Sequence, residues 1–273
     1  MSGPLGEVRK TAGVEITPGR AYGFFTDTTL CIGCKACEVA CKQWNQLPAE
    51  DFDFKGLSYD HTGDLAATTW RHVLFVEQFD EARFADAPET GEAWAREGAR
   101  WLFLSDVCKH CVDAPCQEAC PTGSIIRTEF DSVYIQQDVC NGCGYCVAAC
   151  PFGVVALDKE GDGKAHKCTL CYDRLKDGLE PACAKSCPTD SIRFGPVDEL
   201  IEEARARVET LRGRGIPAWL YGTDGVLEDH ADTGELRGLN AFFLLIDEPE
   251  IYNLPAVPRR PSKNTGKGLM AAD

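Results

Sequence analysis

The chain lacks several features that would assign it to common functional classes. Its longest uninterrupted apolar run, Ala241 to Ile246, is six residues long, whereas a membrane-spanning helix needs roughly 20. Positive charge is also scarce, since 28 lysines and arginines stand against 43 aspartates and glutamates, giving a formal net charge of -15. Because nucleic-acid binding needs a basic surface, we expect neither a membrane span nor a nucleic-acid partner.

Targeting and nucleotide-binding signals are missing as well. The first residues, MSGPLGEVRK, contain neither the apolar stretch of a secretory signal nor a twin arginine. We therefore expect a cytoplasmic location, and we do not expect the protein to be a secreted scaffold held together by disulfides. There is no glycine loop of the kind that cradles phosphates. We therefore expect no bound nucleotide or pterin dinucleotide, and no catalytic centre that depends on one.

Cysteine, in contrast, is abundant, with 16 residues in four groups of four and none left over. The groups are Cys31, Cys34, Cys37 and Cys41; Cys108, Cys111, Cys116 and Cys120; Cys140, Cys143, Cys146 and Cys150; and Cys168, Cys171, Cys183 and Cys187. The third group reads C-x2-C-x2-C-x3-C-P, the bacterial ferredoxin spacing for a 4Fe-4S cluster. Gly142 and Gly144 fit a loop that needs positive φ values. In two-cluster ferredoxins the fourth cysteine ligates the other cluster, so this motif predicts a partner motif.

The other groups vary this spacing. The first repeats it with Lys42 in place of the proline, the second lengthens its middle gap by two residues, and the fourth has an 11-residue gap. Three groups end in similar segments, which read CPTGSI from Cys120, CPFGVV from Cys150 and CPTDSI from Cys187. This internal repeat indicates units of helix, cluster loop and short strands. We predict an α+β fold with two ferredoxin-like 4Fe-4S dicluster modules.

Cysteines in such numbers could also bind structural zinc or act in catalysis. Structural zinc stays open, mainly for the fourth group and its long gap. A catalytic cysteine would need a thiol outside the quartets, and none exists. His110 and His166 adjoin cluster cysteines and are interpreted as neighbours that tune potential, while His61, His72 and His230 are interpreted as ordinary residues. Four complete ligand sets leave electron transfer as the chemistry.

The chain divides into an N-terminal arm (1–20), a four-cluster domain (21–195) with an insertion (42–107), and a C-terminal extension (196–273). The predicted elements are strands at Tyr22–Leu30, Arg71–Phe79, Trp101–Ser105 and Val133–Ile135, helices at Cys37–Trp44 and Val197–Gly213, and a buried strand within the stretch from Leu239. The basic tail from Arg259 to Lys267 is predicted to dock on a protein partner.

The order of the four cysteine groups, within residues 24–195, resembles that of the four-cluster subunits of the DMSO reductase superfamily of molybdenum and tungsten enzymes. TTWRHVLFVEQ at Thr68 to Gln78 and the later FFLLIDEPEIYNLP are similar to the formate dehydrogenase beta, or iron–sulfur, subunits. Relatives of the nitrate, polysulfide and DMSO reductase or hydrogenase type are the alternative. Some relatives carry tryptophan as a ligand in the fourth group, and its absence here favours four 4Fe-4S clusters.

The resemblance implies specific ligand sets. Cys31, Cys34 and Cys37 would share a cluster with Cys187; Cys168, Cys171 and Cys183 with Cys41; Cys108, Cys111 and Cys116 with Cys150; and Cys140, Cys143 and Cys146 with Cys120. The spacing by itself leaves open ligation within neighbouring groups instead.

The resemblance also implies partners. A large Mo/W-bis-pterin catalytic subunit would supply electrons, and a downstream acceptor protein would take them, so this chain would not be an enzyme on its own. Related subunits without a signal can be exported together with a catalytic subunit that has one, which is the alternative to a cytoplasmic location. A free polyferredoxin is a further alternative, although about 140 residues of insertion and extension, comparable to a small domain, favour a subunit of a complex.

Overall fold

The computed structural model describes residues 15–49, 59–60, 62–79, 99–224, 236 and 238–259. The strands in these ranges are β1 (Tyr22–Asp27), β2 (Arg71–Phe79), β3 (Ala99–Val107), β4 (Ile125–Arg127), β5 (Val133–Ile135), β6 (Ala156–Leu157), β7 (Ala165–His166), β8 (Ile192–Pro196), β9 (Trp219–Tyr221) and β10 (Ala241–Leu245). The helices are α1 (Ala36–Asn45), α2 (Pro115–Glu118), α3 (Tyr145–Ala149), α4 (Tyr172–Lys176), α5 (Ala182–Lys185) and α6 (Val197–Arg212), followed by a 3-10 turn at Pro249–Tyr252.

A four-stranded mixed sheet with the order β8-β1-β10-β9 joins segments from opposite ends of the chain. β1 pairs antiparallel with β8 and parallel with β10, with Phe24 opposite Ala241. The remaining strands form two-stranded antiparallel pairs, β2-β3, β4-β5 and β6-β7. The C-terminal part of the chain therefore completes the sheet that leads into the first cysteine group.

Alternation along β1 separates two hydrophobic cores. Phe24 faces a core that includes buried cysteines, which we call the cysteine core, while Phe25 faces a core built on α6 and β10, which we call the sheet core. Successive side chains of a strand point to opposite faces of the sheet, so one strand serves both. The five apolar residues that predicted helix α6, Leu200, Ile201, Ala204, Val208 and Leu211, are all buried in the sheet core.

The predicted elements correspond closely to the observed ones, with differences at their ends. β1 stops at Asp27, three residues earlier than predicted, because the Asp27 carboxylate accepts hydrogen bonds from the Thr29 amide at 2.9 Å and the Thr29 hydroxyl at 2.6 Å. Such a side-chain turn competes with strand pairing. β3 is longer than predicted, since it pairs with β2 over nine residues. α6 ends at Arg212, one residue before the predicted end.

The predicted division into arm, four-cluster domain and extension stays a prediction. Residues 1–14 of the arm and the tail beyond Arg259 lie outside the described residues, as do His61 and His230. Of the insertion, the β2-β3 pair is described, and β10 of the extension shares a sheet with β1. Across the described ranges, no helix is both long enough and apolar enough to cross a membrane.

Gly23 on β1 lies where two backbones approach closely, and this gives a test of the sheet. A Cβ at Gly23 would lie 1.7 Å from the carbonyl oxygen of Asn240, so we expect Gly23→Ala to lower the free energy of unfolding by about 1–3 kcal/mol or more, as overpacking does. Gly195, its register partner on β8, is the matched control, because a Cβ there meets Leu200 at an ordinary 3.6 Å. Denaturant unfolding of both variants checks this, and equal midpoints would contradict the close approach.

Candidate metal centres

The four cysteine loops share one backbone conformation. The second residue after the first cysteine is left-handed in every loop, with φ of 66° at Gly33, 43° at His110, 72° at Gly142 and 58° at Leu170. Two of these are not glycine and hold a conformation that L-residues adopt at a cost. A Cβ at Gly142 would also lie 2.3 Å from the carbonyl oxygen of Gly163. The positive φ values predicted for Gly142 and Gly144 are confirmed, the latter at 78°.

The repeated exit segments also share one turn. Gly123, Gly153 and Asp190 each stand three residues after the last cysteine of their group, with φ of 68°, 64° and 52°. Their amides donate to the carbonyl oxygens of Cys120, Cys150 and Cys187 at 3.4, 3.2 and 3.5 Å. The repeat in the sequence therefore encodes the same reversal of the chain three times, after Cys120, Cys150 and Cys187.

Three cavities are each lined by four cysteines from two different groups. The sets that line them are the Cys31 set (Cys31, Cys34, Cys37 and Cys187), the Cys108 set (Cys108, Cys111, Cys116 and Cys150) and the Cys140 set (Cys140, Cys143, Cys146 and Cys120). In each, three thiols come from one group and the fourth from another.

The remaining four cysteines also come together, and we call them the Cys41 set (Cys41, Cys168, Cys171 and Cys183). Burial raises the pKa of Cys41, and charge on the other three sulfurs raises it further. Cys41 lies on α1, which carries the last two cysteines of the first group, while Cys183 lies on α5 of the fourth group. The fold thus assembles four sets that each contain three thiols of one group and one thiol of another.

The four sets follow one another in a row. Neighbouring sets are close enough for their sulfur charges to act on one another, since Cys183 raises the pKa of Cys37, Cys108 that of Cys168, and Cys146 that of Cys116, in each case after the larger effect of burial. The order is Cys31 set, Cys41 set, Cys108 set, Cys140 set. Only Cys34 and Cys143 are exposed cysteines, and they belong to the two end sets.

Burial is the main influence on the pKa values of the buried cysteine thiols. It raises the pKa of Cys37, Cys116 and Cys168 to about 12, so these thiols are neutral at pH 7 when no metal is bound. Cys120 differs: desolvation is the largest single effect and raises the pKa of its thiol, but hydrogen bonds with the Ser124 and Thr122 hydroxyls and with backbone amides together outweigh it and lower this pKa to about 7. Because metal ligands are thiolates, metal binding at these sets must release protons.

Buried cations accompany the sulfurs, and sequence reasoning missed them. Arg71, at the start of β2, and Lys167, directly before Cys168, are 1% and 3% exposed. The Ser105 hydroxyl connects Arg71 to the Cys31 set, accepting from Nη1 at 3.0 Å and lying 3.2 Å from the Cys37 sulfur. The position of Lys167 beside a cysteine of the fourth group was a sequence signal that could have indicated its role. Nothing in the sequence near Arg71 distinguishes it from an ordinary residue at the end of a strand.

The three described histidines, His72, His110 and His166, have hydrogen-bond partners other than the cysteine sulfurs. His110 is fully buried and accepts a hydrogen bond from the Val133 amide through Nδ1 at 3.1 Å. Burial, followed by the charges of Lys167 and Arg127, holds the pKa of His110 well below its usual value. Nε2 of His166 lies 3.0 Å from a carboxylate oxygen of Asp162. His72 contacts Asp60 at 2.8 Å.

These residues fit an anionic metal–sulfur group. All 16 cysteines are free thiols, so no disulfide consumes them. Two guanidinium nitrogens of Arg71, Nε and Nη2, are buried with no hydrogen-bond partner, although a buried donor is normally satisfied. Four convergent sulfurs with a cation between sets match the donors and the charge that a 4Fe-4S cluster needs.

Comparison with known families supports this chemistry. Residues 30–124 and 99–197 each match a family model described as a 4Fe-4S dicluster domain. Together these segments span all four cysteine groups. The predicted pair of dicluster modules is confirmed at this level, as is the mixed content of helices and strands.

Individual relatives of known name identify the family more specifically than the domain models do. The nitrate-inducible formate dehydrogenase iron–sulfur subunit of Escherichia coli is 38% identical over 247 residues, covering 89% of this chain and 74% of the relative. The formate dehydrogenase-O iron–sulfur subunit of the same organism is 39% identical over 266 residues, covering 93% and 79%. The B subunit of its anaerobic dimethyl sulfoxide reductase is 36% identical over 179 residues, covering 66% and 75%. With this identity over most of its length, the chain belongs to the family of formate dehydrogenase iron–sulfur subunits.

Proposed function

We propose that this chain carries four 4Fe-4S clusters and relays electrons between a Mo/W-bis-pterin catalytic subunit that oxidises formate and a further acceptor. The observation that carries the proposal is the row of four thiol sets with an exposed cysteine only at each end, Cys34 and Cys143. In such a row, electrons can enter at one end and leave at the other.

The proposed ligands are the members of the four sets. Each bound cluster supplies a one-electron redox centre. The protein keeps water from the inner centres, because the Cys41 set is buried at all four cysteines and the Cys108 set at two, with the other two partly buried. Such burial, together with hydrogen bonds to the sulfurs from Ser105, Ser124 and Thr122, is how a protein tunes cluster potentials.

Apolar side chains at both ends support contacts with partner proteins there. Ile32, in the loop of the Cys31 set, is 59% exposed, and Tyr145, between Cys143 and Cys146 of the Cys140 set, is 54% exposed. Aromatic and apolar side chains are favoured at protein interfaces. The β2-β3 pair places Phe75 and Phe103 against Gly33 of the first loop, so this part of the insertion is our candidate contact with the catalytic chain. The basic tail from Arg259 is a second candidate.

Catalysis is assigned to the partner subunit. Every cysteine belongs to a complete set, and the sequence has no glycine loop for a pterin dinucleotide. The related chains are themselves named as iron–sulfur subunits of formate dehydrogenase. The cytoplasmic location and the identity of the acceptor stay predictions.

Formate should reduce the clusters only in the complex. Native anaerobic purification should recover a much larger, pterin-containing subunit, and adding formate should bleach the broad iron–sulfur absorbance of the complex. The isolated chain is the control, since without a catalytic centre it should keep its absorbance when formate is added. A change in the redox state of the clusters with nitrate, a sulfur compound or hydrogen, but not with formate, would reject the formate assignment and leave the relay intact. Elution of the chain alone from native extract would favour a free polyferredoxin.

A further inference from the structure

Arg71 stands between two thiol sets in the interior of the protein. It is among the largest side chains that are fully buried. Its guanidinium lies 4.7 Å from the centre of the Phe24 ring and donates through Nη1 to the carbonyl oxygen and hydroxyl of Ser105 at 3.3 and 3.0 Å. Nε and Nη2 have no hydrogen-bond partner. Within the described ranges, Arg71 forms no ion pair with a carboxylate.

The charges that surround Arg71 are sulfurs of both neighbouring sets. Burial lowers the pKa of Arg71, but four sulfurs, in the thiolate form that binds metal, more than reverse this effect, and the net shift is upward. These sulfurs belong to Cys183, Cys37, Cys168 and Cys41. One of them is in the Cys31 set and three are in the Cys41 set, so the guanidinium faces both.

Lys167 has the corresponding position one step further along the row. Its ammonium donates to the carbonyl oxygens of Val133 and of Cys168, the latter at 3.1 Å. After desolvation, the largest electrostatic influences on the pKa of Lys167 are the sulfurs of Cys108, Cys116 and Cys168. The described part of the chain places no carboxylate in an ion pair with Lys167. It therefore lies between the Cys41 set and the Cys108 set.

A buried cation without a carboxylate is costly unless an anion compensates it. A cluster held by four thiolates is such an anion, and it gains a further negative charge when it is reduced. A fixed positive charge in the gap between two clusters stabilises the reduced state of both, because the attraction is strong where water is excluded.

We propose that Arg71 and Lys167 are the fixed counter-charges of two consecutive electron-transfer steps, each raising the reduction potentials of the two clusters beside it. This inference rests on the proposed ligation of four clusters. In each step one electron crosses the gap, so one centre is oxidised by one electron and its neighbour is reduced by one. Both side chains stay protonated, and no proton moves with the electron.

The proposal predicts which potentials change in which variant. Arg71→Gln should lower the potentials of the Cys31 and Cys41 clusters, and Lys167→Gln those of the Cys41 and Cys108 clusters. The expected shift is about tenfold in the ratio of reduced to oxidised cluster at a given potential, equal to about 59 mV for a one-electron couple. The Cys140 cluster, at the far end of the row from Arg71, should keep its potential in Arg71→Gln.

The experiment is an EPR-monitored redox titration of the anaerobically purified full chain, with each signal assigned through a serine variant of one of its cysteines. Arg100→Gln and Lys159→Gln are the controls, because they remove a positive charge at exposed positions, Arg100 being on the strand that pairs with β2. Arg71→Lys should restore most of the lost potential, since it returns the charge without the guanidinium geometry.

Iron content separates this inference from the proposed function. If wild type and variants all hold about 16 irons per chain, as four cubes require, and the potentials do not move in the predicted overlapping pattern, the counter-charge role is wrong while the relay stands. If the wild-type chain holds fewer than four cubes, or zinc in one set, the proposed four-cluster function is wrong and the counter-charge proposal that rests on it is rejected with it. If Arg71→Gln does not assemble, the Arg71→Lys and Lys167→Gln titrations decide, and unchanged potentials in Lys167→Gln overturn the proposal.

Discussion

Cys41→Ser should remove the cluster of the Cys168, Cys171 and Cys183 triplet and leave the cluster of the Cys31, Cys34 and Cys37 triplet in place. The reason is that the sulfur of Cys41 lies among those of the fourth group, not of its own. Iron should fall from about 16 to about 12 per chain, or one cluster should convert to a form that lacks one iron. Metal analysis and EPR of the anaerobically prepared protein measure both.

The assignment of the lost signal comes from a comparison of serine variants. Cys171→Ser should remove the same EPR signal as Cys41→Ser, whereas Cys34→Ser should remove the signal that Cys187→Ser removes. Coincidence of the Cys41→Ser and Cys34→Ser spectra would instead establish ligation within the first group. Stoichiometric zinc in wild type that disappears in Cys171→Ser would identify the fourth group as a zinc site.

Removal of the clusters should unfold one core of the protein and spare the other. The cysteine core contains six buried cysteines, Cys37, Cys108, Cys116, Cys146, Cys168 and Cys183. Its helices α2 to α5 have only four or five residues each, which is too short for stability without tertiary contacts. The clusters bind only to the folded loops, so the free energy of binding is part of the free energy of folding.

The sheet core depends far less on the cysteines. It is built on the 16-residue helix α6 and the fully buried strand β10, and the one cysteine packed against it is the partly buried Cys111. After anaerobic chelation, amides of residues 108–190 should exchange at least about 100-fold faster, equal to about 3 kcal/mol of lost protection. Residues 197–212 and 241–245 should stay protected. Hydrogen-exchange mass spectrometry of the holo and chelated chains checks this, and equal loss of protection in both cores would show a single cooperative unit.

Local spacing was sufficient to predict the cluster loops, because their geometry is set within a few residues. Three thiols so close in sequence reach one metal centre only through a tight loop, so the C-x2-C-x2-C runs predicted both the cofactor and the left-handed Gly142 and Gly144. The repeated exit segments likewise correspond to one turn. Where a loop departs from glycine, as at His110 and Leu170, the sequence contained no sign of the left-handed conformation, since L-residues adopt it against their intrinsic preference.

The strands and α6 were predictable from periodicity, but their partners were not. Nothing near Ala241 indicates that it lies opposite Phe24 in a parallel pair, because strand pairing between distant segments depends on the packing of the whole sheet. The same limit applies to the end of β1, where a single carboxylate, Asp27, ends the strand through a local turn. Packing of β2 beside the first loop placed Arg71 in the interior, which its position at the start of a strand could not reveal.

Residue type and short-range spacing were enough to predict that this protein binds iron–sulfur clusters, how many cysteine groups it has and where each loop lies. Which cysteine completes each set, the order of the sets, and the burial of Arg71 and Lys167 between them became apparent from the folded chain. These properties arise from contacts between segments far apart in the chain, such as α1 with α5 and β1 with β10. Such contacts depend on how the two hydrophobic cores pack and on where the buried cations lie, and no local sequence pattern specifies them.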